Sequence, residues 1–335
     1  MDQYAPHLSA NFEGYYSKFD FPSGAKLALI ICTVPAAKRR PHMVSFTYAP
    51  HDMSKVYQKE LFVDSLQFLP ASTGDGFQLK VPGMGAVMCS ADSTTEYNLE
   101  NEHFSFHATT TSRVPWSQHS ETPEALLVHL PLPLHWHVQS LGGGCNFTMD
   151  IPSHSNLPAA DRSGAATVHQ EKNWANSFPS AHMWLQARDG ERGFCCAGGQ
   201  ILGMEAYLLG YRNKQYEIDF RPPFAVRALG LAPFMSVAHS WADRTFELSV
   251  QSFRRKIVVK ASAPKGTFFS LSSPFPDGHR ENFLSESFQA TLNVKVYESG
   301  WLSEWRLVHE DTFEEASLEF GGDYYPPAGT DQKLH

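Results

Sequence analysis

The chain has no excess of positive charge: 27 Lys and Arg stand against 35 Asp and Glu, a formal net charge of −8. Proteins that track a phosphate backbone concentrate Lys and Arg on one face, so nucleic acid is excluded as an expected partner. The two tight basic runs, Lys38-Arg39-Arg40 and Arg254-Arg255-Lys256, read as a solvated loop and a strand end. No apolar run approaches the ~18 residues of a membrane-spanning helix, which excludes an integral helical membrane protein. The first residues, MDQYAPHLSANFEGYY, show no charged region followed by an apolar one, so no secretory signal is read there. Five cysteines, Cys32, Cys89, Cys145, Cys195 and Cys196, are odd in number and lack CxxC spacing, which fits reduced thiols better than a disulfide framework. The cytoplasm is the expected compartment.

Phosphate-binding and nucleophile motifs are missing as well. Gly142-Gly143-Gly144 and Gly198-Gly199 lack the Lys-Ser/Thr or the GxGxxG context that cradles phosphate, and read as turns or bulges. No Ser elbow occurs in context, and the adjacent Cys195-Cys196 read as small buried apolar residues. His135 and His137 project from one face of a strand, as metal ligands can, but no third ligand stands at matching spacing. His7, His42, His51 and His119 show no ligand spacing either. No cofactor and no metal is expected.

What the chain does have is apolar material and turn punctuation. With 335 residues, 42% of them hydrophobic and 19% charged, it can bury sizeable cores, and its length suggests two domains. Short segments rich in aromatic and β-branched residues, bounded by Gly, Pro, Asn or Asp, read as strands: Lys26 to Thr33, Leu134 to Ser140, Met183 to Ala187 and Phe246 to Phe253 are examples. Helical periodicity is weak, with candidates only at Ala225 to Leu231 and Pro50 to Leu61. The expected fold class is all-β with antiparallel sheets. The polar, Pro-containing stretch PSHSNLPAADRSGAAT marks the boundary. It gives an N-terminal β-domain over 1–152, a linker over 153–167, a C-terminal β-domain over 168–325 and a tail over 326–335.

Four motifs recur in a known order. Phe12-Glu13-Gly14-Tyr15-Tyr16 precedes Phe21-Pro22-Ser23-Gly24 and an apolar strand; His169-Gln170-Glu171-Lys172-Asn173-Trp174 leads to Phe178-Pro179; His182-Met183-Trp184-Leu185-Gln186 follows; Glu286-Ser287-Phe288 comes late. Together they resemble the tocopherol cyclase-like family. The resemblance implies two packed lipocalin-like β-barrel or sandwich domains that hold an apolar small-molecule substrate, with cyclisation as the chemistry. Ala175-Asn176 replace glycines of the plant cyclases, and with no transit peptide read, this points to a secondary-metabolite cyclase.

Residue chemistry narrows the candidates. Glu171, Lys172 and Trp174, with the neighbouring His169, form the densest group of polar and amphipathic side chains, expensive to bury without partners. They are the catalytic candidates, and a Glu171–Lys172 pair that only holds the structure is the alternative. Alternation places His182, Trp184 and Gln186 on one face of a strand and Met183 and Leu185 on the other. Trp184, Gln186, Tyr15, Tyr16, Glu13, Trp136, His137 and Phe178 are the substrate-binding candidates. The expected function is a cofactor-independent cyclase acting on a prenylated, polyene or polyketide intermediate. It works either by protonating an alkene or by orienting a pericyclic, Diels-Alder type closure. A non-catalytic carrier of an apolar ligand is the alternative. Sequence leaves the oligomeric state open.

Overall fold

The computed structural model describes residues 3–71, 76–300 and 304–326. The tail assigned to 326–335 therefore lies, from 327 onward, outside the described residues. Strand dominates, as the turn-bounded β-branched and aromatic runs require. The chain divides into two units, one comprising Met1–Ser177 with Pro274–Arg280, the other Phe178–Ser273 with Glu281–His335.

The first unit's sheet is built from β1 (Phe12–Asp20), β2 (Lys26–Thr33), β3 (His42–Ala49), β4 (Tyr57–Val63), β5 (Gln67–Pro70), β6 (Phe77–Val81), β7 (Gly85–Cys89), β8 (Thr95–Glu100), β9 (Ser105–Thr110), β10 (Leu134–Asp150) and β11 (Ser163–Ala175). Its order is β4-β3-β2-β1-β11-β10-β9-β8-β7-β6-β5, so the last strand is inserted between the first and the tenth. The sheet curls on itself. Tyr15 of central β1 lies 5.9 Å from Phe77 of β6, and Phe46 of β3 stacks on Phe104 at 4.0 Å. The core is the interior of this curl, filled by Phe19, Leu29, Phe46, Leu79, Tyr97, Phe106 and Val168 among others.

The second sheet's strands are β12 (Ala181–Asp189), β13 (Arg192–Ile201), β14 (Met204–Arg212), β15 (Glu217–Phe220), β16 (Val226–Arg227), β17 (Met235–Ser240), β18 (Thr245–Gln251), β19 (Arg255–Ser262), β20 (Phe269–Phe275), β21 (Gly278–Glu298) and β22 (Arg306–Gly322). The order is β15-β14-β13-β12-β22-β21-β19-β18-β17, with β16 on β14 and β20 on β21. Its core takes Met183, Leu185, Tyr207, Phe246, Leu292 and Leu318.

Several expectations need correction. The division falls at Ser177/Phe178, not within 153–167. That stretch holds a one-turn helix α1 (Ala159–Arg162) and the start of β11. Asp161 of α1 is buried and accepts hydrogen bonds from Tyr48 Oη at 2.6 Å and Ser23 Oγ at 2.5 Å, which fastens the stretch to the first unit. The helical candidates at 50–61 and 225–231 are instead turns running into β4, and β16 followed by a turn. The triple glycine, by contrast, lies as expected at a bulge, inside β10 where the pairing with β11 shifts register; a Cβ on Gly143 would stand 2.0 Å from the Ser112 carbonyl oxygen.

Candidate functional site

Because β11 is central, both of its neighbours fix what its side chains meet. Lys172 lies opposite Tyr15 of β1 and His137 of β10, and Trp174 opposite Glu13 and His135. Glu171 lies opposite Tyr16 and Val138. Successive residues of a strand face opposite ways, so the motif splits: Lys172 and Trp174 share the face of Glu13, Tyr15 and His137, while His169 and Glu171 share that of Tyr16. The adjacent Glu171 and Lys172 are therefore not the pair their adjacency suggests.

Lys172 pairs instead with Glu13, on the inner face. Its ammonium also donates to the Ala5 carbonyl, to the Tyr4 carbonyl at 3.4 Å and to His7 Nδ1 at 2.8 Å. It sits 4.9 Å from the ring centre of Tyr15 and 5.1 Å from that of Trp174. Burial pushes the amine down to about 8, against the opposing pull of the Glu13 carboxylate. Burial alone would raise the Glu13 carboxyl, but the hydrogen bond from His7 and the charge of Lys172 outweigh it and hold it below the usual range. The His7 amide donates to both Glu13 oxygens at 3.0 and 3.1 Å, and Tyr15 Oη donates to Glu13 Oε1 at 3.2 Å.

Aromatic faces surround this pair. Trp174 stacks on His7 at 4.0 Å and on His135 at 5.0 Å. His135 in turn meets Glu124 at 2.8 Å, and Glu124 also accepts the Trp136 amide at 2.7 Å. His137 bonds Gln139 at 3.2 Å through Nε2. Burial lowers its imidazole to about 4, so the ring is neutral near pH 7. Its Nδ1 is buried and has no hydrogen-bond partner among the described residues.

On the opposite face, His169 Nε2 meets Glu171 Oε2 at 2.9 Å, with His169 fully buried and Glu171 8% exposed. In β10, Trp136 is buried and packs edge-on against Trp116 at 5.8 Å.

The second unit holds Phe178, Trp184 and Gln186. Met183 and Leu185 enter the core, as alternation requires, and Trp184 and Gln186 are buried on the other side of β12. His182 on that side meets Glu319 of β22 at 2.7 Å, and its ring lies edge-on to Phe178 at 5.3 Å. Glu319 lies opposite both Trp184 and the fully buried Glu286 of β21.

The structure thus brings together Glu13, Tyr15, Lys172, Trp174 and His137 in the first unit. His169, Glu171 and Tyr16 lie on that sheet's other face, and Trp184, Gln186 and Phe178 in the second unit. Sequence reasoning missed Tyr4 and His7, which meet Lys172 more than 160 residues downstream, and Glu124, which meets His135 and Trp136 in the next strand with no spacing that marks a motif. Glu286 was visible in its motif but carried no role.

No family model matches the sequence, and comparison with curated proteins gives no match. Among solved structures, CghA aligns with a TM-score of 0.57 over 93% of this chain and 88% of that one, at 11% identity. CghA with Sch210972 gives 0.55 over the same shares, at 11% identity. A putative AttH from Nitrosomonas europaea gives 0.51, over 97% of this chain and 96% of that one, at 10% identity. Identities this low carry fold alone, and on the fold they agree with the two curled antiparallel sheets: the chain has the lipocalin-like, all-β fold found in these proteins.

Proposed function

We propose that the chain is a cofactor-independent cyclase that closes a ring on an apolar prenylated, polyene or polyketide intermediate, as the resemblance to tocopherol cyclase-like proteins implies. The observation that carries this reading is the buried His169–Glu171 pair, bonded at 2.9 Å within the motif that carries the resemblance. Burying polar titratable groups is costly unless they serve a purpose, so such hydrogen-bonded pairs concentrate where proton transfer or charge stabilisation is needed. The likeness to CghA, solved with the small molecule Sch210972, supports small-molecule binding by a fold of this kind.

In the proton-assisted route the Glu171 carboxyl delivers a proton to a substrate alkene or oxygen, a nucleophilic oxygen closes the ring, and the proton lost on closure returns through His169. In the pericyclic route no proton moves, and orientation supplies roughly 7–11 kcal/mol of the barrier. Tyr16, which lies opposite Glu171 and on its face of the sheet, is the proposed substrate-contacting residue.

The test is incubation of the purified chain with a polyene or ortho-quinone methide precursor, followed by chiral analysis of the product. Catalytic turnover to one stereoisomer is expected. Glu171→Gln, with its fold verified by thermal unfolding, should lower kcat by about 10²–10⁴-fold in the proton-assisted route. Full activity of a folded Glu171→Gln protein assigns the pericyclic route. Stoichiometric protection of the precursor without turnover makes the chain a carrier and refutes the cyclase.

A further inference from the structure

The segment before β1 enters the core of the first unit without joining its sheet. Residues 3–11 form no strand, and the Ala10 amide bonds the His7 carbonyl at 2.9 Å, within the segment itself. Yet Tyr4 is 2% exposed and belongs to the unit's core. Its ring lies 5.4 Å from that of Tyr15 in β1, 6.0 Å from Phe77 in β6 and 6.1 Å from His137 in β10, so it meets both walls of the curl.

Side chains of the sheet, not a backbone ladder, hold this segment. The Lys172 ammonium donates to the Tyr4 carbonyl at 3.4 Å, to the Ala5 carbonyl and to His7 Nδ1 at 2.8 Å. The Glu13 carboxylate accepts the His7 amide at 3.0 and 3.1 Å, and the His7 ring stacks on Trp174 at 4.0 Å. Little in this arrangement calls for peptide. A ring between Tyr15 and Phe77, with two carbonyl oxygens on the ammonium, would satisfy the same groups. The ion pair points the same way, because a buried Lys–Glu pair adds little stability over apolar residues of similar volume.

One group beside Tyr4 is left over. His137 is 3% exposed, and Gln139 Oε1 accepts from its Nε2 at 3.2 Å, so Nδ1 carries the lone pair. That nitrogen is buried and has no hydrogen-bond partner among the described residues. A buried acceptor left unmade is costly, and Tyr4 fills the space next to it without satisfying it. A molecule that placed a hydroxyl there would do better.

We propose that Tyr4 to His7 occupy, in cis, a binding site of the first unit for a small aromatic molecule carrying neighbouring carbonyl oxygens and a hydroxyl, and that ligand and segment exclude one another. The ligand's ring replaces that of Tyr4, its carbonyl oxygens accept from Lys172, and its hydroxyl donates to His137 Nδ1. The site is separate from His169 and Glu171, which lie on the sheet's other face, and its test needs no cyclase activity.

The probe is para-hydroxybenzoylacetone, which has the ring, the carbonyls and the hydroxyl; para-butylphenol lacks the carbonyls. Calorimetric titration of the full chain should show the first compound binding about tenfold or more tightly than the second, since only the first bonds the ammonium. Tyr4→Ala, with its fold verified by thermal unfolding, should tighten binding about tenfold, because the wild-type chain binds only in the fraction of molecules whose site is vacated. Lys172→Met should erase the difference between the two compounds. Hydrogen exchange reads the displacement itself: the His7 and Ala10 amides should exchange faster with the probe bound. Failure of the probe to bind both wild type and Tyr4→Ala overturns the proposal, as do equal affinities for the two compounds or weaker binding by Tyr4→Ala. Unchanged or slower exchange at His7 and Ala10 in the bound chain also overturns it, since the segment would then be a fixed wall of the first unit.

Discussion

Replacing Lys172 by Met would remove the cation but keep the aliphatic stem between the Tyr15 and Trp174 rings. Glu13 would then be left buried with the His7 amide and the Tyr15 hydroxyl as its donors, and the Tyr4 and Ala5 carbonyls would lose their shared donor. Removing one partner of a buried ion pair typically costs about 3–5 kcal/mol, because the remaining charge stays desolvated. The surviving donors to Glu13 place this case at the low end, near ~3 kcal/mol. Hydrogen exchange of amides in β1 and β11 reads it directly, as opening of the first unit should become roughly 150-fold more frequent. The double variant Glu13→Gln, Lys172→Met removes both charges and should cost only about 1 kcal/mol, less than either single variant. If Lys172→Met slows or leaves exchange unchanged, or if the two single costs simply add, Lys172 is not held by Glu13 and the arrangement of the inner face is wrong.

The same pair should set the pH dependence of the first unit. Glu13 is held below its ordinary value of 4.5, so its contribution is complete above that value and lost as pH falls through the lower folded value. Exchange protection of β1 should drop in acid, and Glu13→Gln should flatten that drop. Lys172 works in the other direction: with its amine lowered from 10.5 to about 8, the unfolded chain binds the extra proton between those values. Stability should therefore rise with pH across that window, and Lys172→Met should abolish the rise. Asp161→Asn would weaken the bonds from Tyr48 and Ser23. It should cost about 1–3 kcal/mol, read as faster exchange in the first half of β11.

Local features of the chain were legible wherever one strand could be read alone. Lys26 to Thr33 is β2 as expected, and the Met183/Leu185 alternation entered the core as its period requires. Pairing between distant strands was not legible. Ser163 to Thr167 consists of small residues and reads as linker, yet it lies opposite Thr148 to Gly144 in β10, and small side chains there suit close strand approach. Glu171 beside Lys172 suggested a pair, but alternation turns neighbours apart, and the true partner is Glu13 on the strand alongside. His7 was not legible because its side chain meets Lys172, 165 residues away.

The insertion of β11 between β1 and β10 sets a timetable for synthesis. The earliest strand made has an unpaired edge until the eleventh emerges, and the Ala5 carbonyl waits for a lysine 167 residues downstream. At about 5–20 residues per second a ribosome takes on the order of ten seconds or more to deliver it. During that interval β1 offers bare backbone donors and acceptors to any passing strand. Nascent chains stalled before residue 163 should thus be the aggregation-prone, chaperone-bound species, and those stalled well beyond residue 177 should acquire protease resistance in the first unit.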